Sequence, residues 1–202
     1  MHIRPATLAD IPAIQRVADI AFRHTYAHIL SPAQLDYMMD WMYSTESLTH
    51  QIADPGKHFL LAEDDAPNAP NAPNAPNDPD VPNVPNASHA PDALHADASF
   101  PIVGYVSFEP EDTLPDGRPL FHLQKLYVLP DYQGHGLGRA LFTAVTDVLR
   151  TNCGHARIEL NVNRHNSAVT FYRHLGLTCA REGDFPIGHG YYMNDYIYAL
   201  DL

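Results

Sequence analysis

Apolar positions recur along the chain with helical and strand periods in turn. Residues 2–6 read as a short strand, and Thr7-Leu8-Ala9-Asp10 then forms a capping-box-like start for a helix whose apolar face is Ile11, Ile14, Val17, Ala18, Ala21 and Phe22. After Ser31-Pro32, Leu35, Met38, Met39 and Met42 repeat at helical spacing, with Tyr37, Trp41 and Tyr43 adding aromatic surface, which predicts a second helix. Residues 58–63 and 102–108 read as the two strands of a hairpin, and 120–129 as a long strand. Residues 138–151 form a helix that turns Leu141, Ala144, Val145, Val148 and Leu149 inward and stops at Asn152-Cys153-Gly154. A strand at 157–162, a short helix at 166–175 ended by Gly176, and two closing antiparallel strands at 177–180 and 191–200 complete the set. The order β-α-α-β-β-β-α-β-α-β-β predicts an α+β fold, a mixed and mostly antiparallel sheet flanked by helices. Its parallel portion lies in the βαβ unit at 120–162.

One stretch breaks the pattern. Across 64–99, Ala-Pro-Asn repeats and then decays, with prolines removing donors and few large apolar side chains to bury, so this reads as a flexible low-complexity insertion at the hairpin tip. The rest of the 202 residues is enough for one core and predicts a single domain over 1–202.

Charge narrows the partners. With 12 basic against 24 acidic residues the net charge is -12, which opposes a phosphate backbone and speaks against nucleic acid. Six of those acids, Asp64, Asp65, Asp78, Asp80, Asp92 and Asp97, sit in the insertion, which holds no Lys or Arg, so half of the net charge is remote from the core. Cys153 and Cys179 lack CxxC spacing and read as buried or half-buried thiols in a reducing compartment. The 13 histidines share no ligand spacing, so no metal is expected. Without a leader or a membrane-length apolar run, the expected location is cytoplasmic and no membrane contact is expected.

The chemistry concentrates where the long strand meets the helix. Gln133-Gly134-His135-Gly136-Leu137-Gly138 sets alternating glycines at a helix start, where amides are unpaired and glycine permits close approach to a diphosphate, with Arg139 as a cation beside it. A P-loop needs Gly-Lys-Ser/Thr, which is absent. A dinucleotide fingerprint needs a small residue where Arg139 or Leu141 stands, although Glu159 lies about twenty residues on, where a ribose ligand would be.

A further pattern accounts for both this turn and a later helix. Gln133-x-x-Gly136-x-Gly138 matches the Q/R-x-x-G-x-G/A element of the GNAT acetyltransferase superfamily. Asn166-Ser167-Ala168-Val169-Thr170-Phe171-Tyr172-Arg173-His174-Leu175-Gly176-Leu177 resembles that superfamily's N-x-x-A-x-x-F-Y-x-x-x-G-F helix, with Leu177 in place of the usual aromatic. The chain looks most similar to bacterial small-molecule N-acetyltransferases, polyamine acetyltransferase-like members included. The resemblance implies acetyl-CoA as acyl donor, with its diphosphate on Gln133, Gly134, His135, Gly136, Leu137, Gly138 and Arg139. It further implies that the backbone of Leu126, Tyr127 and Val128 pairs with the pantetheine arm, the Val128 amide polarising the thioester carbonyl if the strand is splayed from its neighbour. Asn166 is similar to the Asn that contacts that arm, and is equally compatible with a helix N-cap.

Tyr172 matches the family's Tyr near the thioester sulfur, which implies a general acid; the other role open to it is aromatic packing beside Phe171. His122 stands on the cofactor strand where relatives place a catalytic Glu, and Glu159 on the next strand is a second candidate base acting through water. Each also fits a plain strand position, Glu159 paired with Arg157 or Lys125. His189 and Tyr191 are candidates for the acceptor mouth. The implied reaction is acetyl transfer to a small primary amine, a homodimer being common among relatives. Alternatives are a catalytically silent acyl-CoA sensor, a protein N-terminal or lysine acetyltransferase, and a nucleotide-dependent oxidoreductase.

Overall fold

The computed structural model describes residues 1–65 and 101–202. The expected insertion at 64–99 therefore lies, beyond Asp64 and Asp65, outside the described residues. The chain runs β1 (His2–Pro5), α1 (Ile11–Tyr26), α2 (Pro32–Tyr43), α3 (Thr45–Ala53), β2 (His58–Glu63), β3 (Ile102–Thr113), β4 (Pro119–Val128), α4 (Leu137–Cys153), β5 (Arg157–Asn163), α5 (Ala168–His174), β6 (Thr178–Gly188) and β7 (Tyr191–Asp201). The strands form one seven-stranded sheet in the order β1-β2-β3-β4-β5-β7-β6. Every neighbouring pair is antiparallel except β4 and β5, which α4 joins as a parallel crossover. Such a mixed α+β sheet flanked by helices is the predicted architecture.

Alternation along the strands feeds two cores. Leu61, Ile102 and Tyr105 pack with α1, α2 and α3, whereas Val103, Val106, Leu123 and Val128 pack with Leu141, Phe142 and Val145 of α4. A residue in a strand sends its side chain to the face opposite its neighbour's, so one sheet supports helices on both sides. Among the described residues no helix is long and apolar enough to cross a membrane.

Local chemistry sets the helix starts. Ser31 Oγ accepts from the Gln34 amide at 3.2 Å with Pro32 at the first helical position, and Ser44 Oγ accepts from the Ser47 amide at 3.2 Å. That second cap is the feature the apolar spacing does not reveal: it ends α2 at Tyr43 and starts α3, which buries Leu48. Other corrections concern length. β3 runs on to Thr113, and β6, expected to end at 180, runs on to Gly188, which leaves only a turn at His189 and Gly190, both at positive φ, before β7. Cys153 and Cys179 are exposed rather than buried, lying at a helix end and on the outer strand β6.

The capping box of Thr7 and Asp10, on the short 3-10 turn that leads into α1 at Ile11, is also an ion-pair hub. The Asp10 carboxylate accepts from the Thr7 amide at 2.7 Å and from Arg4 Nη2 at 2.7 Å, while Arg4 Nε donates to Glu63 at 2.7 Å. The Arg4 hydrogen bonds, opposed by partial burial and aided by Thr7, hold the Asp10 carboxyl down at about 2. Its pKa in the unfolded chain is about 3.9, so the stability it contributes is complete above that value and is lost as pH falls toward 2. Asp10→Asn is expected to destabilise the protein at pH 7 by about 1 kcal/mol, solvent screening removing much of what the shift alone would give. Melting curves of the two proteins should converge near pH 2; a gap that persists there would mean that the carboxylate's charge is not the cause.

Candidate active site

The sheet is open in its middle. β4 and β5 pair only at Leu120–Arg157, Phe121–Ile158 and His122–Glu159, and beyond these β4 stays with β3 as far as Val128 while β5 stays with β7 as far as Asn163. The cause lies in β4: Leu123 faces Phe108 and Lys125 faces Ser107, so Gln124 is an extra residue, a bulge that bends the strand away from its parallel neighbour. The Leu129 amide donates to Val103 on β3 at 2.9 Å. Because an antiparallel strand directs alternate residues toward and away from its partner, Leu126 and Val128 aim their backbone groups into the gap. The Val128 carbonyl is taken by Gln133 Nε2 at 2.9 Å, which leaves the Val128 amide facing the opening.

At the far end of the gap stands the start of α4. Gly134 and Gly136 have φ of 79° and 83°, conformations that side-chain-bearing residues rarely adopt, and Gly136 caps the helix without any side-chain bond. The first bond within α4 runs from the Ala140 amide to the Gly136 carbonyl at 3.0 Å, so the preceding amides, at the positive end of the helix dipole, have no backbone partner among the described residues. Gly138 has a different purpose: a Cβ there would lie 3.2 Å from Phe171, so its absence lets α4 and α5 approach.

These parts enclose a cavity of about 570 Å³. Residues 123–128 of β4, Gln133, Gly134, Gly136, Leu137, Gly138, Arg139, Asn166 and Tyr172 line it together. His135 is exposed and is not among the lining residues, since the alternation of the turn carries it outward. Asn166 Oδ1 accepts from the Ala168 amide at 2.9 Å, so its side chain caps the first turn of α5 as well as facing the cavity.

Tyr172 is 7% exposed, and burial, followed by the field of Tyr26, pushes its phenol well above the ordinary value. It therefore keeps its proton through neutral and moderately alkaline pH. Tyr127 is likewise raised well above the ordinary value by burial and then by Tyr26 and Tyr43. Tyr26 is raised by burial and then by the Asp195 carboxylate, an effect that Asn166 and Tyr127 partly offset.

The two expected bases are not in this group. His122 and Glu159 lie where β4 and β5 still pair, below the point of splaying, and neither lines the cavity. His122 Nδ1 is 3.2 Å from Glu111, and buried Glu159 has Arg157 Nε at 3.1 Å and Arg181 Nη1 at 2.7 Å. The arginine on β6 lies within ion-pair distance of Glu159 Oε2 but off the direction of an aligned hydrogen bond. His189 and Tyr191 pack at a tilt against Tyr37 with centroids 4.7 and 5.6 Å away, at the tip of the β6–β7 hairpin and outside the cavity lining. What the pattern missed is the end of α1: His24, Thr25 and Tyr26 line the cavity. Tyr26 continues the apolar face one turn beyond Phe22, whose ring is 4.7 Å from it, and that spacing was the available signal.

The parting of the mixed sheet beside a glycine-rich helix start leaves a cavity that both of them line. A GNAT acetyltransferase domain accounts for residues 86–184, 99 of the chain's 202, which match the model for that domain. Among solved structures the chain is similar to the PaiA N-acetyltransferase of Thermoplasma acidophilum in complex with coenzyme A, at 19% identity over 98% of this chain and 96% of that one, with a TM-score of 0.67. It is also similar to Arabidopsis thaliana NAA60 in complex with a bisubstrate analogue, at 16% identity over 100% and 98% with a TM-score of 0.65. The ribosomal-protein-alanine N-acetyltransferase of Escherichia coli matches at 17% identity over 99% and 92%, with a TM-score of 0.59. No curated protein sequence matches the chain.

Proposed function

We propose that the protein transfers an acetyl group from acetyl-CoA to the primary amine of a small molecule, by direct attack within a ternary complex. The observation that carries this reading is the unpaired stretch of β4 running from the bulge at Gln124 to the first amides of α4, with Tyr172 across from it. The α4 amides and Arg139 bind the diphosphate, and the inward-facing backbone of Leu126 and Val128 pairs with the amides of the pantetheine arm. Asn166 offers its side-chain amide to the same arm.

The amine nitrogen, as free base, attacks the thioester carbonyl carbon, and the Val128 amide donates to the oxygen as it gains charge. Collapse breaks the carbon–sulfur bond, the Tyr172 phenol donates its proton to the leaving thiolate, and the nitrogen gives up its extra proton through water to restore the phenol. Since His122 and Glu159 lie below the cavity, water in the open gap relays that proton. An amine presented by a protein is the second reading, supported by the similarity to the ribosomal-protein-alanine enzyme.

The test is free-thiol release from acetyl-CoA with a panel of small amines and N-terminal peptides, alongside direct CoA binding. Turnover of a small amine is expected. CoA binding without turnover of any acceptor would replace the enzyme with a sensor, and absence of CoA binding would remove the basis of the proposal.

A further inference from the structure

A second cavity, of about 260 Å³, opens on the α2–α3 side of β3 and β4. Gln124 and Lys125 line both cavities, so the two meet at the bulge. The geometry points to this cavity as the acceptor subsite, built for a primary amine that carries a carboxylate, the carboxylate resting against Lys125 and Ser107. The inference rests on the acetyl-transfer reading of the first cavity and adds to it the chemical class of the acceptor.

The donors come first. Lys125 and Ser107 are direct partners across the β3–β4 pair, so their side chains share a face, and both line the second cavity. Lys125 Nζ donates to Gln51 Oε1 at 2.7 Å, and an ammonium has two further N–H groups. Ser107 Oγ is buried without a hydrogen-bond partner among the described residues, and a turn about χ1 brings a serine hydroxyl onto a neighbouring ligand oxygen. Two donors on adjacent strands with spare capacity suit an oxygen anion.

Next is charge. Glu109 is the carboxylate nearest to Lys125 in this cavity, and it is already held by Lys57 Nζ at 2.6 Å and Gln124 Nε2 at 2.7 Å. Burial lowers Lys125 to about 8, with Glu109 opposing the shift and Lys57 adding to it; among the described residues the ammonium has no ion-pair partner, and it gains one when a carboxylate enters. A polyamine would instead set a second ammonium against it, which is unfavourable in a site of low polarity.

Shape completes the case. The Lys125 ammonium sits 5.7 Å from the Phe59 ring centroid, and Phe59, Phe108 and the half-exposed Trp41 supply an apolar wall for a hydrocarbon spacer. About 10 Å of strand separates Lys125 from Val128, where the thioester is polarised. The reacting amine and the carboxylate therefore lie at opposite ends of the acceptor, as in a straight-chain ω-amino acid.

The experiment compares 6-aminohexanoate, hexylamine and 1,6-diaminohexane as acceptors in thiol release by the full chain. The ω-amino acid should exceed hexylamine in kcat/KM by about 10- to 100-fold, the range of a hydrogen-bonded charge contact, and Lys125→Met should collapse that ratio to within a few-fold. Ser107→Ala should reduce it several-fold, and serves where the lysine variant does not fold. Preference for the diamine or for hexylamine would overturn the subsite while leaving acetyl transfer standing. Calorimetric titration of 6-aminohexanoate into the CoA-saturated protein separates the two claims: saturable binding that Lys125→Met or Ser107→Ala weakens supports the subsite even without turnover, and no saturable binding refutes it.

Discussion

Tyr172→Phe should lower kcat by about 100-fold or more while leaving the dissociation constant for CoA within a few-fold of wild type. The expectation comes from the position of the phenol. Its ring packs beside Phe171 with centroids 5.2 Å apart, burial and the field of Tyr26 raise its phenol, and no hydrogen-bond partner of the phenol is found among the described residues. Removing the oxygen thus strands no buried partner and leaves the ring's packing in place, so folding stability should hardly change. What is lost is the proton for the departing sulfur. Steady-state kinetics with one good acceptor, CoA titration and a thermal melt together decide the matter. A kcat within threefold of wild type would show that the thiolate leaves unassisted, or that water protonates it, and would remove Tyr172 from the chemistry.

Gly136→Val should weaken CoA binding by about 100-fold. Its φ of 83° is a backbone state that costs a side-chain-bearing residue roughly 1–2 kcal/mol, and more when the side chain is β-branched. A Cβ on Gly136 would meet nothing within 4 Å, so crowding is not the mechanism. The turn relieves its strain by rotating, and rotation re-aims the amides of Leu137 and Gly138, the groups proposed to hold the diphosphate. Gly117 provides the control, having a φ of 87° and equally empty surroundings in the turn between β3 and β4, away from the cavity. Gly117→Val should cost comparable stability and leave CoA affinity alone. Equal losses of affinity in the two variants would trace the effect to global destabilisation rather than to the turn.

The contrast between these glycines shows which parts of the molecule can be read without coordinates. Gly134 and Gly136 stand at a strand-to-helix junction, and their spacing with Gln133 carries enough local information to announce an anion-binding turn. The α4 face and the β2–β3 pairing were legible for the same reason, since each follows from a period along one segment. α3 was not, because Ser44 serves as the last residue after one helix and the cap of the next, and the polar Thr45-Glu46-Ser47 that follow give no apolar period to announce a new helix. The role of Tyr26 was hidden by its place at the end of α1, where only tertiary packing tells a pocket wall from a core residue. His122 and Glu159 were placed on the correct strands. Whether they face the cavity depends on where the two strands part, and that is decided by one extra residue, Gln124, against a strand that is distant in sequence.

That parting has a consequence for self-association. A strand with unpaired backbone groups is ordinarily an invitation to another chain, and proteins defend outer strands with charge, proline or brevity. Here the exposed rungs lie in the interior of the sheet, fenced by β5 on one side and by α4 and α5 at the mouth. A neighbouring polypeptide, carrying a side chain at every residue, is too broad for the slot. A slender arm that offers amides on a nearly bare hydrocarbon backbone can enter, so the same narrowness that guards the molecule against aggregation selects the shape of its cofactor.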